Sequence, residues 1–259
     1  MKFTIYQNSR QGPRNYNQDR LAYSYSKDAL LLVLADGMGG HRNGEIAAQL
    51  AVKTLTDIQR GYLYCAHVGD SRLYHFRDGH LLFRTEDHSV VQSMFKKGMI
   101  TQEDMATHPY KNKIYNCLGG DTPPQIDLAD RYELIEGDTV LLCTDGVWGV
   151  LADHQIKDII EKNAVIADAT TQIMDSAELA SDERGDNLSA IGLQWGDRAS
   201  SIVAVSTQLM PLGETTTIIN TVTHQPDGSD PAELSDSDIE NTIAAIQKAL
   251  NKTVQKTRN

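Results

Sequence analysis

Two blocks of mostly apolar residues run straight into the same dipeptide: LLLVLADG over Leu30–Gly37 and VLLCTDG over Val140–Gly146. Runs this short and this apolar, without polar alternation, read as strands covered on both faces. A chain carrying them must fold around a sheet with layers on either side. An Asp at the exposed end of such a strand has its carboxylate held in place by the rigid sheet. One Asp-Gly after a strand is first of all a hairpin turn, but here the pattern recurs. Further acidic residues at strand ends or turns are Asp19 in NYNQDR, Asp70 in HVGDSR, Asp87 in TEDHS and Asp186 in GDNLSAIGL.

Carboxylates gathered at one end of a sheet repel one another and raise each other's pKa unless cations lie among them. An all-oxygen set, with no Cys or His pair at ligand spacing, favours hard divalent ions, Mg²⁺ or Mn²⁺, over zinc. Two such ions about 3.5–4 Å apart can share a water and bring its pKa from about 15.7 toward neutrality. Arg14, close in sequence to Asp19, carries a planar fork suited to phosphate oxygens. On residue type alone, an Arg in a polar loop is more often a solvated surface group.

Composition narrows the partners. The formal charge of −11 argues against a nucleic-acid surface, which rewards clustered Lys and Arg. No apolar run approaches the roughly 20 residues that cross a bilayer, and the amino terminus shows no secretion signal. The cytoplasm is therefore the expected location. Cys65, Cys117 and Cys143 lie in apolar company and are expected to be reduced thiols rather than a disulfide framework.

Strands are predicted over 30–35, 63–68, 72–76, 140–143 and 189–193. A first helix is expected to start near Glu45, with Ile46, Leu50, Leu55 and Ile58 at near-helical spacing. After Gly196 the composition shifts to Ser and Thr and then to HQPDGSDPAELSDSD, which divides the chain into 1–196 and a carboxyl-terminal extension, 197–259. Within that extension, Ser237 and Glu240 form a capping box ahead of a stripe of Ile239, Ile243, Ile246, Leu250 and Val254. Such a stripe over 238–255 predicts a docking or self-association face.

Read in order, GPRNYNQD, LADGMGGHRNGE, HVGDSRLY, TEDHS, CLGGD, LLCTDGVW and GDNLSA resemble the motif series of the metal-dependent serine/threonine protein phosphatases of the PPM or PP2C family, in its bacterial form. The resemblance spans about Tyr6 to Trp195. It implies an α+β fold, a four-layer α-β-β-α sandwich with a dinuclear Mn²⁺ or Mg²⁺ centre at one edge. By motif, Asp36 would bridge both metals, the Gly37 carbonyl would bind one, and Asp145 and Asp186 would complete the other's shell. Asp19 would orient water in or next to that shell, and Arg14 would grip the phosphate. Asp87 matches a position used with Asp145 to hold a third, weaker ion. His41 matches one proposed to assist proton transfer, a role balanced against an ordinary structural histidine, and Asp70 and Ser71 would buttress the site. The implied partners are a phosphorylated protein substrate and an opposing kinase.

The segment SVVQSMFKKGMITQEDMATHPYKNKIYNCLGGD resembles the bacterial flap over the channel, where Met94, Phe95 and Met99 are expected to be helix packing. Three departures stand out. Gln18 replaces a frequent Glu, and Met38 replaces the His that eukaryotic members place after Asp-Gly. The stretch between the first helix and HVGDSR is short enough to predict the loss of one helix and one strand. The alternative function is a catalytically weak phosphoprotein-binding module that keeps the metal cage. A Ca²⁺ structural protein is disfavoured, because no D-x-[DN]-x-[DN]-G run is present.

Overall fold

The computed structural model describes residues 2–26, 28–37, 54–59, 61–118, 123–183, 185–196, 204–206 and 216–220. Thirteen strands are found among them: β1 Lys2–Arg10, β2 Arg20–Tyr25, β3 Ala29–Ala35, β4 Thr54–Gln59, β5 Tyr62–His67, β6 Arg72–Arg77, β7 His80–Arg84, β8 Asp127–Leu128, β9 Tyr132–Glu133, β10 Thr139–Cys143, β11 Leu188–Trp195, β12 Ala204–Ser206 and β13 Thr216–Asn220. Five helices accompany them: α1 Val90–Lys96, α2 Gln102–Thr107, α3 Asp145–Trp148, α4 Asp153–Lys162 and α5 Ile166–Ala180.

The strands form two sheets. One has the order β12-β1-β11-β10-β6-β7; the other runs β13-β2-β3-β4-β5-β8, with β9 also on β5. Their inner faces share a core of Phe3, Ile5, Leu21, Leu32, Leu34, Leu63, Leu142 and Ile191, with other residues of the same kind. The outer face of the first sheet buries Tyr74, Phe76, Leu141 and Cys143 against Ile156, Ile160, Ile173 and Met174 of α4 and α5. Thus β10, TVLLC, is buried at every position because Val140 and Leu142 face one layer while Leu141 and Cys143 face another. An α+β sandwich follows from this layering.

All five predicted strands are present; four are longer by a residue or more, and the one predicted over 63–68 lies one residue earlier, at Tyr62–His67. The expected gap between the first helix and HVGDSR is bridged differently. Leu55 and Ile58, predicted to be helical, lie on β4, which pairs antiparallel with β3 and with β5. Hydrogen-bonding partners on both sides outweigh the weak local periodicity of TLTDI. The second sheet therefore has a strand between β3 and β5, and the predicted loss of a strand there is corrected. The earlier part of the predicted helix, and the loss of a covering helix, fall outside the described residues, as does the 238–255 stripe.

Two strands lie beyond the compositional shift at 197. Strand β12 pairs with β1, and β13 pairs with β2, so chain beyond 197 contributes to both sheets. The first compact unit runs Met1–Val222 and the second Thr223–Asn259. Ladder hydrogen bonds of this kind are not reported by the compositional shift at 197.

Cys65 and Cys143 are buried, Cys117 is half-buried, and none of the three is in a disulfide. Burial pushes the Cys143 thiol up to about 12, so it is inert. Met99 and Phe95 are exposed, at 65% and 38%, which corrects their assignment to packing. Helix α1 turns Val91 and Gln92 inward instead.

Candidate active site

The register brings the acidic residues to one end of the sandwich. Arg20 pairs with Ala35, so Asp19 and Asp36, one residue outside that pair, leave the β2–β3 hairpin side by side. Cys143 pairs with both Ala190 and Arg72, which places Asp145, Asp186 and the Gly69–Asp70 turn at the matching ends of β10, β11 and β6. Antiparallel pairing is the reason: each strand that ends there is followed or preceded by one of these loops.

Electrostatics register the convergence. Burial, then the Asp36 carboxylate, then more weakly Asp186, holds the Asp19 carboxyl well above the usual range, against hydrogen bonds from Ser189 and Thr144. Asp145 is raised in the same way by burial and by Asp36, Asp70, Asp186 and Asp19. Thr144 Oγ1 donates to Asp19 Oδ2 at 3.1 Å. Carboxylates that raise one another in this way suit divalent cations.

Arg14 sits on the rim, half exposed. Its Nη2 donates to Asp186 Oδ2 at 2.8 Å and its Nε to the Gly185 carbonyl at 3.0 Å. Gly37 is half-buried beside Asp36. His41 lies outside the described residues. Asp87 is not part of the cluster: its two oxygens accept from Arg72 Nε and Nη2 at 2.8 and 2.7 Å, at a side chain only 2% exposed. Arg72 itself stacks on Trp148, 3.6 Å from the ring centroid. Both Asp87 oxygens thus serve a buried ion pair.

Some residues that shape the site carried no signal of their own. Asn187 accepts from the Gln18 N–H at 2.8 Å and donates to the carbonyls of Gln11 and Tyr16, lashing the Arg14 loop to β11. Gly146 lies so close to the Asn187 carbonyl that a Cβ there would overlap it. A polar residue in GDN and a glycine in DG announce only turns; what they touch is set by tertiary pairing. Among the described residues, the set whose donor atoms all lie within 4.8 Å of one another is a different one, His67, His88 and Asp127.

The family model for protein phosphatase 2C matches residues 7–63, the stretch carrying Arg14, Asp19 and Asp36. The fold matches the serine/threonine phosphatase of S. agalactiae with a TM-score of 0.66 at 26% identity, covering 74% of this chain and 99% of that one. The chain is similar to the protein phosphatase 2C family. A Streptococcus pyogenes serotype M6 protein described as of the protein phosphatase 2C type is 29% identical over 215 residues, 64% of this chain and 87% of that protein. The catalytic domain of the phosphatase PstP, solved with two manganese ions, superposes with a TM-score of 0.60 at 26% identity, covering 74% of this chain and 98% of its own. The bacterial PP2C phosphatases are thus the relatives of this chain in both sequence and fold.

Proposed function

We propose that this chain is a metal-dependent protein serine/threonine phosphatase of the PP2C type that hydrolyses phosphoserine and phosphothreonine monoesters. The observation that carries this reading is the gathering of Asp19, Asp36, Asp145 and Asp186 at one sandwich end with Arg14 on its rim. The metals are Mn²⁺ or Mg²⁺, two ions, with Asp36, Asp145, Asp186 and the Gly37 carbonyl as their holders and Asp19 in or beside the shell. When bound, such ions offset the carboxylate charge and let water ionise near neutral pH.

The chain's own residues do the rest. Thr144 and Ser189 orient Asp19 by hydrogen bonds, so its carboxylate keeps one direction. Arg14, steadied by Asp186 and the Gly185 carbonyl, presents its guanidinium at the mouth, where it can hold the phosphate oxygens of the substrate. Asn187 fixes the loop that carries Arg14. His41 remains a proposed proton carrier for the leaving oxygen. No Cys sits in a CxxxxxR loop, so a phosphocysteine route has no nucleophile in this sequence.

The substrate is a phosphorylated protein, opposed by a serine/threonine kinase, in the cytoplasm; no helix among the described residues is long and apolar enough to cross a membrane. The extension beyond 197 is proposed to self-associate or dock through 238–255. The decisive test is phosphate release from a phosphothreonine peptide with and without Mn²⁺. Activity that requires metal and falls by roughly 10³ or more in Asp36→Asn and Asp145→Asn is expected. Tight phosphopeptide binding without turnover in Mn²⁺ would favour the binding-module alternative.

A further inference from the structure

His88 makes more directed bonds than packing needs. Its main-chain N–H donates to the Gly69 carbonyl at 2.9 Å, and the Gly69 N–H donates back to His88 Nδ1 at 3.1 Å. Gly69 adopts φ 104°, a conformation that side-chain-bearing residues rarely take, so this turn has a backbone worth fastening. On its other side, the His88 carbonyl accepts from the Tyr115 N–H at 3.0 Å, and Asn116 donates to Nδ1 at 2.7 Å. The Asn116 amide is itself oriented by Gln125, giving a bond to its carbonyl at 2.7 Å and taking one from its N–H at 3.0 Å.

Two donors aimed at Nδ1 fix the tautomer. Nδ1 carries the lone pair, so Nε2 carries the proton and points it at Asp127 Oδ2, 3.0 Å away. The same wiring argues against a cation held by His67, His88 and Asp127. A metal on Nε2 would displace the proton, and Nδ1 could not receive it while facing the Gly69 and Asn116 donors. The ring stacks on His67 with centroids 4.6 Å apart and is 3% exposed as a residue, so it has no freedom to turn over.

We propose that His88 is a positioning residue of the phosphatase site: it clamps the Gly69–Asp70 turn, and through it holds the Asp70 carboxylate against Asp145 in the cation cluster. The β6–β10 register puts Asp70 level with Asp145, and Asp70 is among the charges that act on Asp145. The proposal rests on the phosphatase reading only for the cluster's role in holding cations. Its consequence is that cation affinity depends on a ring that touches no cation.

The test is Mn²⁺ binding by titration calorimetry to the full chain without substrate, in wild type, His88→Ala, His88→Asn and His88→Gln, with far-UV circular dichroism to confirm folding. His88→Ala is expected to bind about tenfold more weakly or worse, the usual effect of losing a residue that orients a ligand. His88→Asn, whose Oδ1 falls where Nδ1 stood and can accept from Gly69, is expected to recover to within about threefold of wild type. His88→Gln fills the space and reaches toward Asp127 but offers Gly69 no acceptor, so it is expected to remain weak. Equal affinity in wild type and His88→Ala, or a Gln variant tighter than the Asn variant, would overturn the proposal. The Asn–Gln comparison still decides if the Ala variant does not fold. A wild-type chain that takes up no Mn²⁺ would sink the phosphatase reading instead. The clamp is then judged by amide exchange at Gly69, expected to speed up about tenfold in His88→Ala and overturned if unchanged.

Discussion

Thr144 and Asp19, 125 residues apart in sequence, meet at 3.1 Å, the threonine hydroxyl donating to the carboxylate at the point where the two sheets come together. The same hydroxyl accepts from the Ser189 N–H at 3.1 Å, so it joins β10, β11 and the start of β2. Replacing it with the isosteric valine leaves a buried carboxylate oxygen short of a partner, at a cost of about 1–3 kcal/mol. Thr144→Val should lower the melting temperature and reduce kcat with Mn²⁺ by about 10- to 100-fold. An unchanged kcat would show that Asp19 needs no such orientation.

Cation binding should stabilise the fold. With Mn²⁺ at about 100 times its Kd, one site adds about 2.7 kcal/mol. Thermal unfolding of the metal-free protein should therefore shift upward on adding Mn²⁺ and back on adding EDTA. Asp145→Asn, which removes one of the mutually repelling charges, should gain stability in EDTA relative to wild type yet lose most of the Mn²⁺ shift. A full shift in that variant would take Asp145 out of the cation shell.

Gly146→Ala tests the close approach of α3 to β11. Its Cβ would overlap the Asn187 carbonyl, a backbone atom with little room to give. Because Asn187 also holds the Arg14 loop, both stability and substrate affinity should suffer. A loss of about 1–3 kcal/mol, as for overpacking elsewhere, is expected in denaturant titration, with a raised KM. A neutral substitution would mean that the loop does not depend on this packing.

Away from the site, Asp138 supplies the pH dependence. Burial alone would raise its pKa, but Arg77, His75 and the Ile135 N–H bond to its oxygens and bring it down to about 2. A depressed carboxylate contributes stability that is present above its unfolded pKa of about 3.9 and lost as pH falls toward the folded value. Asp138→Asn should cost about 3 kcal/mol near pH 7, as for breaking a buried ion pair. The gap between wild-type and variant melting temperatures should narrow between about pH 4 and pH 2. A gap constant over that window would show that the charge contributes nothing.

The sequence by itself marked the acidic strand ends and the strands that carry them. Apolar runs ending in Asp-Gly are local patterns, and the burial of VLLC on both faces follows from its composition, whereas Leu31 and Val33 of LLLVLA stay partly exposed. Only the tertiary structure decided how TLTDI is used, because Leu55 and Ile58 suit a helix locally and become strand when β3 and β5 offer ladders on both sides. It alone assigned Asp87 to Arg72, since nothing near TEDHS predicts a guanidinium from β6 aimed at both carboxylate oxygens. It also added β12 and β13 to the sheets and gave Asn187, Thr144 and His88 their tasks. Those tasks are hydrogen bonds between residues far apart in the chain, and a bond of that kind exists only once the backbone pairing has brought its two ends within 3 Å or so.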